Sequence, residues 1–173
     1  MSTPTATPAT LTAIDVLRIQ AQATHNILRR NTEGITHDES LTQPGCGGNC
    51  LNWVLGHLAW SNEQSLQILG QPPVLGVEAL KRYHRGAAEL NDPAEAIPMD
   101  ELLRAINESY ARIDAGLAAL TPEALGAPAP FSPRNRADET VGSLLPLIAF
   151  HQAYHTGQTG ILRRLLGKDG AIK

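Results

Sequence analysis

The chain has 173 residues, enough to bury one substantial hydrophobic core. With 42% hydrophobic but only 4% aromatic residues, that core must be built mainly from Leu, Ala, Ile and Val. A net charge of −3 gives no electrostatic reason to expect nucleic acid or an anionic membrane as partner, and no apolar run approaches the roughly 20 residues that span a bilayer.

The opening "MSTPTATPATLT" lacks a basic stretch followed by an apolar one, so no secretory signal is expected and the default location is cytoplasmic. Residues 1–10 read as a disordered tail and 11–173 as a single domain. The first helical periodicity covers about 10–31, with Ile14, Leu17, Ala21 and Leu28 on one stripe and Gly34 closing it. A loop rich in turn formers follows. Its Cys46 and Cys50, spaced C-x3-C, match neither a redox C-x-x-C nor half of a usual zinc knuckle, and read as reduced thiols.

Asn49 is the expected N-cap of a second helix over about 50–69. Leu51, Leu55, Leu58, Asn62, Leu66 and Leu69 share one of its sides, while Trp53, His57 and Trp60 fall on another. A helix apolar on two sides must touch more than one neighbour. Residues 70–97 hold Pro72, Pro73, Gly76, Gly86 and Pro93 and read as a long connection with a helical turn near "VEALKRYH". The third helix, about 99–120, carries Met99, Leu102, Ile106, Tyr110, Ile113, Leu117 and Leu120 at alternating spacings of three and four. A second Pro-rich crossing leads to a fourth helix over about 139–166, in which Pro146 implies a later start or a bend. Four amphipathic helices without strand alternation predict an all-α fold: an up-down four-helix bundle with long Pro/Gly-rich connections.

The fourth helix carries the chemistry. Leu144, Ile148, His151, His155, Gln158, Leu162 and Leu165 form one expected inward stripe whose middle is polar. Burying imidazole or amide without partners costs about 1–3 kcal/mol per group, so something should satisfy them. Histidines at i and i+4 lie one turn apart on a common face, which lets both rings converge on one ion. The alternative is a pair of core histidines bonded to carbonyls or to each other. H-E-x-x-H of zinc peptidases shares the spacing, but Gln152 stands at the Glu position and an amide cannot serve as the base. A zincin peptidase is therefore not expected. A third ligand has to come from His25, His37, His57 or His84, and periodicity favours His57 over His25 only weakly.

"GGNCLNWVLGHLAWSNEQSLQILG" followed by "FHQAYHTGQTGILRRLLGKDGAI" resembles the DinB/YfiT-type superfamily of metal-binding four-helix bundles, over about residues 12–171. The resemblance implies a divalent metal held by one His of the second helix and the H-x3-H pair of the fourth, which fall here on His57, His151 and His155. Relatives often carry an acidic residue where Gln152 stands, which removes any carboxylate role at that position. Three neutral nitrogen donors suit zinc or nickel and leave an open coordination position, the pattern of a catalytic centre. Gln158 is the candidate catalytic residue, orienting a ligand or holding a His ring. Tyr110 and Tyr154 are candidate hydroxyl donors near the site. Arg82 or Arg85 of "RYHRG" could meet an anionic substrate, the alternative being a solvated loop.

Similar proteins include low-molecular-weight-thiol S-transferases, so a thiol-dependent transferase or a metal-assisted hydrolase is implied. The competing expectation is a non-catalytic, stress-associated metal- or ligand-binding protein. A homodimer is implied by the family and by the aromatic side of the second helix. Despite the DNA-damage origin of the family name, no nucleic-acid partner is expected.

Overall fold

The computed structural model describes residues 10–45 and 47–172, and these are all-α. All of the expected tail but Thr10, and Cys46, lie outside the described residues. The long helices are α1 (Ala13–Thr32), α3 (Leu51–Ile68), α4 (Met99–Ala119) and α6 (Val141–Leu165), with single-turn helices α2 (His37–Ser40) and α5 (Pro122–Leu125) between them. No described helix is long and apolar enough to cross a membrane.

Local chemistry sets the ends. Thr12, Thr36 and Thr140 each accept a hydrogen bond from the backbone three residues on, while Asp15, Glu39 and Ser143 reach back, forming capping boxes on α1, α2 and α6. The α2 turn was not expected; its box, Thr36 with Glu39, is legible in the sequence in hindsight. Two expectations are corrected here. Cys50, not Asn49, is the N-cap of α3, and it makes no side-chain cap bond. Helix α6 starts before Pro146 and continues through it, so the later start is excluded.

The four long helices form a closed ring of contacts, with α1 against α6 and α4, and α3 against α4 and α6. Helix α3 is buried nearly all round. One side packs on Leu102 and Ile106 of α4; the other is covered by Leu80, Tyr83 and Leu90 of the 70–98 connection. Trp53 is buried there, its indole N–H donating to the Ala88 carbonyl. On the aromatic side of α3, Trp53 is thus covered by the chain itself, while Trp60 is half-buried. A smaller cluster of Leu17, Leu117, Val141 and Leu145 closes the other end. Fully burying each such aliphatic side chain stabilises the fold by about 1.5–3 kcal/mol.

The connection is anchored rather than loose. Buried Glu63 accepts the backbone N–H groups of Val74 and Leu75, at 3.1 and 2.9 Å. Tyr83 is fully buried; its hydroxyl donates to Asn52 Oδ1 at 3.0 Å and accepts the Ile97 N–H at 2.8 Å. Its ring lies flat on α3 where only a glycine fits: a Cβ on Gly56 would stand 2.2 Å from the Tyr83 ring. Cys50 is a buried free thiol whose pKa burial pushes up, so it has no reactive thiolate character.

Candidate metal centre

His57 of α3 and His151 and His155 of α6 come together, with one potential ligand atom of each within 4.8 Å of the others. Their ring centroids are 4.4–5.0 Å apart. The α6 pair follows from the i, i+4 spacing; His57 arrives because α3 and α6 pack directly.

Each ring is held by its Nδ1. His57 Nδ1 lies 2.7 Å from the Tyr83 carbonyl oxygen, which can only accept, so this nitrogen carries the proton. His155 Nδ1 lies 2.7 Å from Gln158 Oε1, and His151 Nδ1 lies 3.4 Å from the Ser61 hydroxyl. That arrangement leaves the three Nε2 atoms free to ligate, with His57 and His151 Nε2 only 3.1 Å apart. Two such nitrogens need a proton or a cation between them. Their spacing is close to the roughly 3.3 Å that separates nitrogens around a tetrahedral zinc with ordinary bonds. An outer shell of carbonyl, hydroxyl and amide behind each imidazole is the usual way a protein fixes the ligating tautomer. The residues therefore fit a divalent ion.

Electrostatics agree. Burial lowers the pKa of all three rings, and His151, further opposed by His155, His57 and Arg85, drops to about 4. The neutral, ligating form thus prevails at neutral pH. The His57 ring is also stacked between Trp53 and Trp60 of its own helix, at centroid distances of 5.0 and 5.7 Å.

The centre sits at the floor of a groove of about 790 Å³, lined by Trp53, Trp60, Phe131, Phe150 and Tyr154 among others. Among the described residues, no Asp or Glu lines it. The expected inward stripe is corrected accordingly. Leu144, Ile148 and Leu162 are buried, but His151 and His155 are half-buried at the groove, Gln158 is half-buried beside His155, and Leu165 is exposed.

A family model described as the DinB superfamily matches residues 20–159. The chain belongs to the DinB superfamily. A crystal structure of a conserved protein from Enterococcus faecalis is similar in fold, with a TM-score of 0.70 at 17% identity, covering 92% of this chain and 100% of that one. A search of curated proteins gave no significant match.

Within this DinB-superfamily chain, the other candidates separate cleanly. Gln158 touches His155, and Tyr154 stands edge-on to the same ring at 5.2 Å. Tyr110 does not reach the site. It stacks on His25 at 4.1 Å, and both line a cavity on the far side of α6, so its expected role is withdrawn. Among the other histidines, His37 accepts the Met99 N–H and His84 bonds the Lys81 carbonyl. Gln152 donates to Asn62 Oδ1 at 2.7 Å and also lines that cavity. A carboxylate at that position would also start from the far side of the helix, a second reason against the peptidase arrangement. Arg82 is tied to Glu95 and to the Ala88 and Glu89 carbonyls, whereas exposed Arg85 lines the groove.

Sequence reasoning missed Ser61, Tyr83 and Phe131. Ser61 stands four residues after His57 and was findable from that spacing. Tyr83 acts through its backbone carbonyl, which leaves no sequence signature.

Proposed function

We propose that this chain is a four-helix bundle of the DinB/YfiT type in which His57, His151 and His155 bind a divalent metal, zinc or nickel, at a catalytic centre for thiol transfer. The observation that carries this reading is the convergence of three imidazoles, each held by its Nδ1, at a groove with no carboxylate among its described lining residues. When bound, the ion would stabilise a thiolate at neutral pH. The same ion would also lower the pKa of a bound water, so a metal-assisted hydrolase is the second reading of this site.

The chain's own residues define the rest. The Tyr83 carbonyl, Ser61 and Gln158 hold the three imidazoles in one tautomer and orientation. Gln158 thus acts as a positioning residue rather than through its own chemistry. Trp60, Phe131 and Phe150 give the electrophile an apolar seat. The thiolate sulfur forms a bond to the electrophilic carbon as the leaving group departs with its electron pair, and the thiol proton passes to solvent.

A homodimer in the cytoplasm belongs to this proposal. Its support is the exposed apolar pair Ile161 and Leu165, one turn apart on α6 beyond the groove. A monomer by light scattering at working concentration would remove it. Metal per chain, measured for wild type and for the His151→Ala/His155→Ala variant, tests the centre: about one ion falling to none supports it, undiminished metal refutes it. Thiol transfer to an electrophile, compared with His57→Ala, tests the reaction. Bound metal with equal rates in both would favour the non-catalytic reading.

A further inference from the structure

We infer that the groove over the three histidines takes a small organic anion with a flat apolar body, its charge held by Arg85. This rests on the reading of that site as a reaction centre and names the class of electrophile it would serve.

The groove volume of about 790 Å³ lies within the ~300–1,000 Å³ range of small-molecule sites. Its walls are flat and aromatic: Trp60 stacks beside His57, and Phe131, Phe150 and Tyr154 form the rim. Phe150 and Tyr154 are 64% and 58% exposed, a solvent-facing aromatic pair that a planar ligand would cover. Two cationic side chains reach this lining, Arg85 and Arg134. Arg134 is engaged by Glu139 through both Nε and Nη2, at 3.2 and 2.6 Å. Arg85 has no hydrogen-bond or ion-pair partner among the described residues, although its neighbour Arg82 makes three.

An unpaired guanidinium beside an apolar wall, with no acid among the lining residues, sets a charge preference. A cationic ligand would meet Arg85 unopposed. A neutral one would leave Arg85 without a role. An anion with an aromatic body satisfies the wall and the cation together, with guanidinium geometry suited to a carboxylate or phosphate.

The chain carries a built-in reporter. Its two tryptophans, Trp53 and Trp60, both line the groove, so contact quenching of intrinsic fluorescence reads occupancy there. The probes are para-nitrobenzoate and its neutral isostere para-nitrobenzamide, titrated into the full chain both metal-free and metal-loaded. The metal-free arm prevents the carboxylate from simply ligating an ion. Wild type should bind the anion more tightly than the amide. Arg85→Gln should weaken the anion about fivefold or more, leave the amide unchanged, and be largely rescued by Arg85→Lys. High salt should weaken only the anion. Equal effects on both probes, no effect of Arg85→Gln, or probe binding without tryptophan quenching would overturn the inference. Metal content of the same samples judges the three-histidine reading separately: a chain that binds no metal loses that reading, while the Arg85 result stands or falls on its own.

Discussion

Gly56→Ala sets two effects of opposite sign against each other at the site's support. In an isolated helix, Ala is favoured over Gly by about 1 kcal/mol. Here the added Cβ would lie 2.2, 2.3 and 2.5 Å from three ring carbons of Tyr83. Carbon contacts are optimal at about 3.5–4.0 Å, so the overlap exceeds roughly 1 Å on three atoms at once. Tyr83 cannot step aside freely, because Asn52 and Ile97 hold its hydroxyl and His57 holds its carbonyl. Overpacking costs about 1–3 kcal/mol, and loosening a buried hydrogen bond adds about 1–3 kcal/mol. After the helix gain, a net loss of about 1–5 kcal/mol remains, which lowers Tm by roughly 2–20 °C in a chain of this size. Because Tyr83 also orients His57, metal affinity should fall about 10–100-fold. Gly157→Ala is the control: its Cβ would meet nothing within 4 Å on exposed α6, so it should stabilise slightly. Thermal and denaturant melts of both variants, with metal titrations, read the outcome. A Gly56→Ala protein as stable as Gly157→Ala, with unchanged metal affinity, would refute the close contact and the role given to Tyr83.

Protonation at the centre gives a second test. His151 drops from 6.5 to about 4, so between those values the unfolded chain binds the proton the folded one refuses. Metal-free stability should therefore fall as pH drops from 6.5 towards 4, metal should be released over the same acid range, and His151→Gln should flatten the stability slope; identical slopes would contradict it. Glu139, held by Arg134 and then by Ser143 and Ser132, is lowered from 4.5 to about 2. Its contribution is complete above 4.5 and lost as pH falls through about 2, so Glu139→Gln should be less stable than wild type at pH 7 and converge with it in strong acid; melts that differ equally at both ends would count against this. Buried Thr156 Oγ1 has no hydrogen-bond partner among the described residues. Thr156→Val should thus be neutral or stabilising by about 1 kcal/mol in a denaturant melt, and a clear loss would show that the hydroxyl is satisfied by something in the adjoining cavity.

The parts of this protein legible in its sequence are those that repeat along one helix. The extents of α1, α3, α4 and α6 followed within a few residues from apolar periodicity and punctuation, because burial of one helix face imposes the 3.6-residue period directly. The His151–His155 pair followed for the same reason. Periodicity could not say how far the α6 stripe is buried. Its histidines lie half-buried at a groove, because the covering comes from Phe131 and Arg85 in connections distant in sequence.

Side chains on one helix share a face whatever the tertiary context, and so the spacing of His151 and His155 needed no structure. Contacts between elements depend on which segments pack and in what register, and these were decided only in three dimensions. The choice of His57 over His25, weak by periodicity alone, rests on α3 meeting α6 at that level while His25 turns to Tyr110. The Tyr83 carbonyl behind His57, the withdrawal of Gln152 to the opposite side of α6, and the freedom of Arg85 beside a fully engaged Arg82 all arise from how the connections fold back on the helices. Sequence determined the pair of imidazoles; packing supplied the third, and the groove above them.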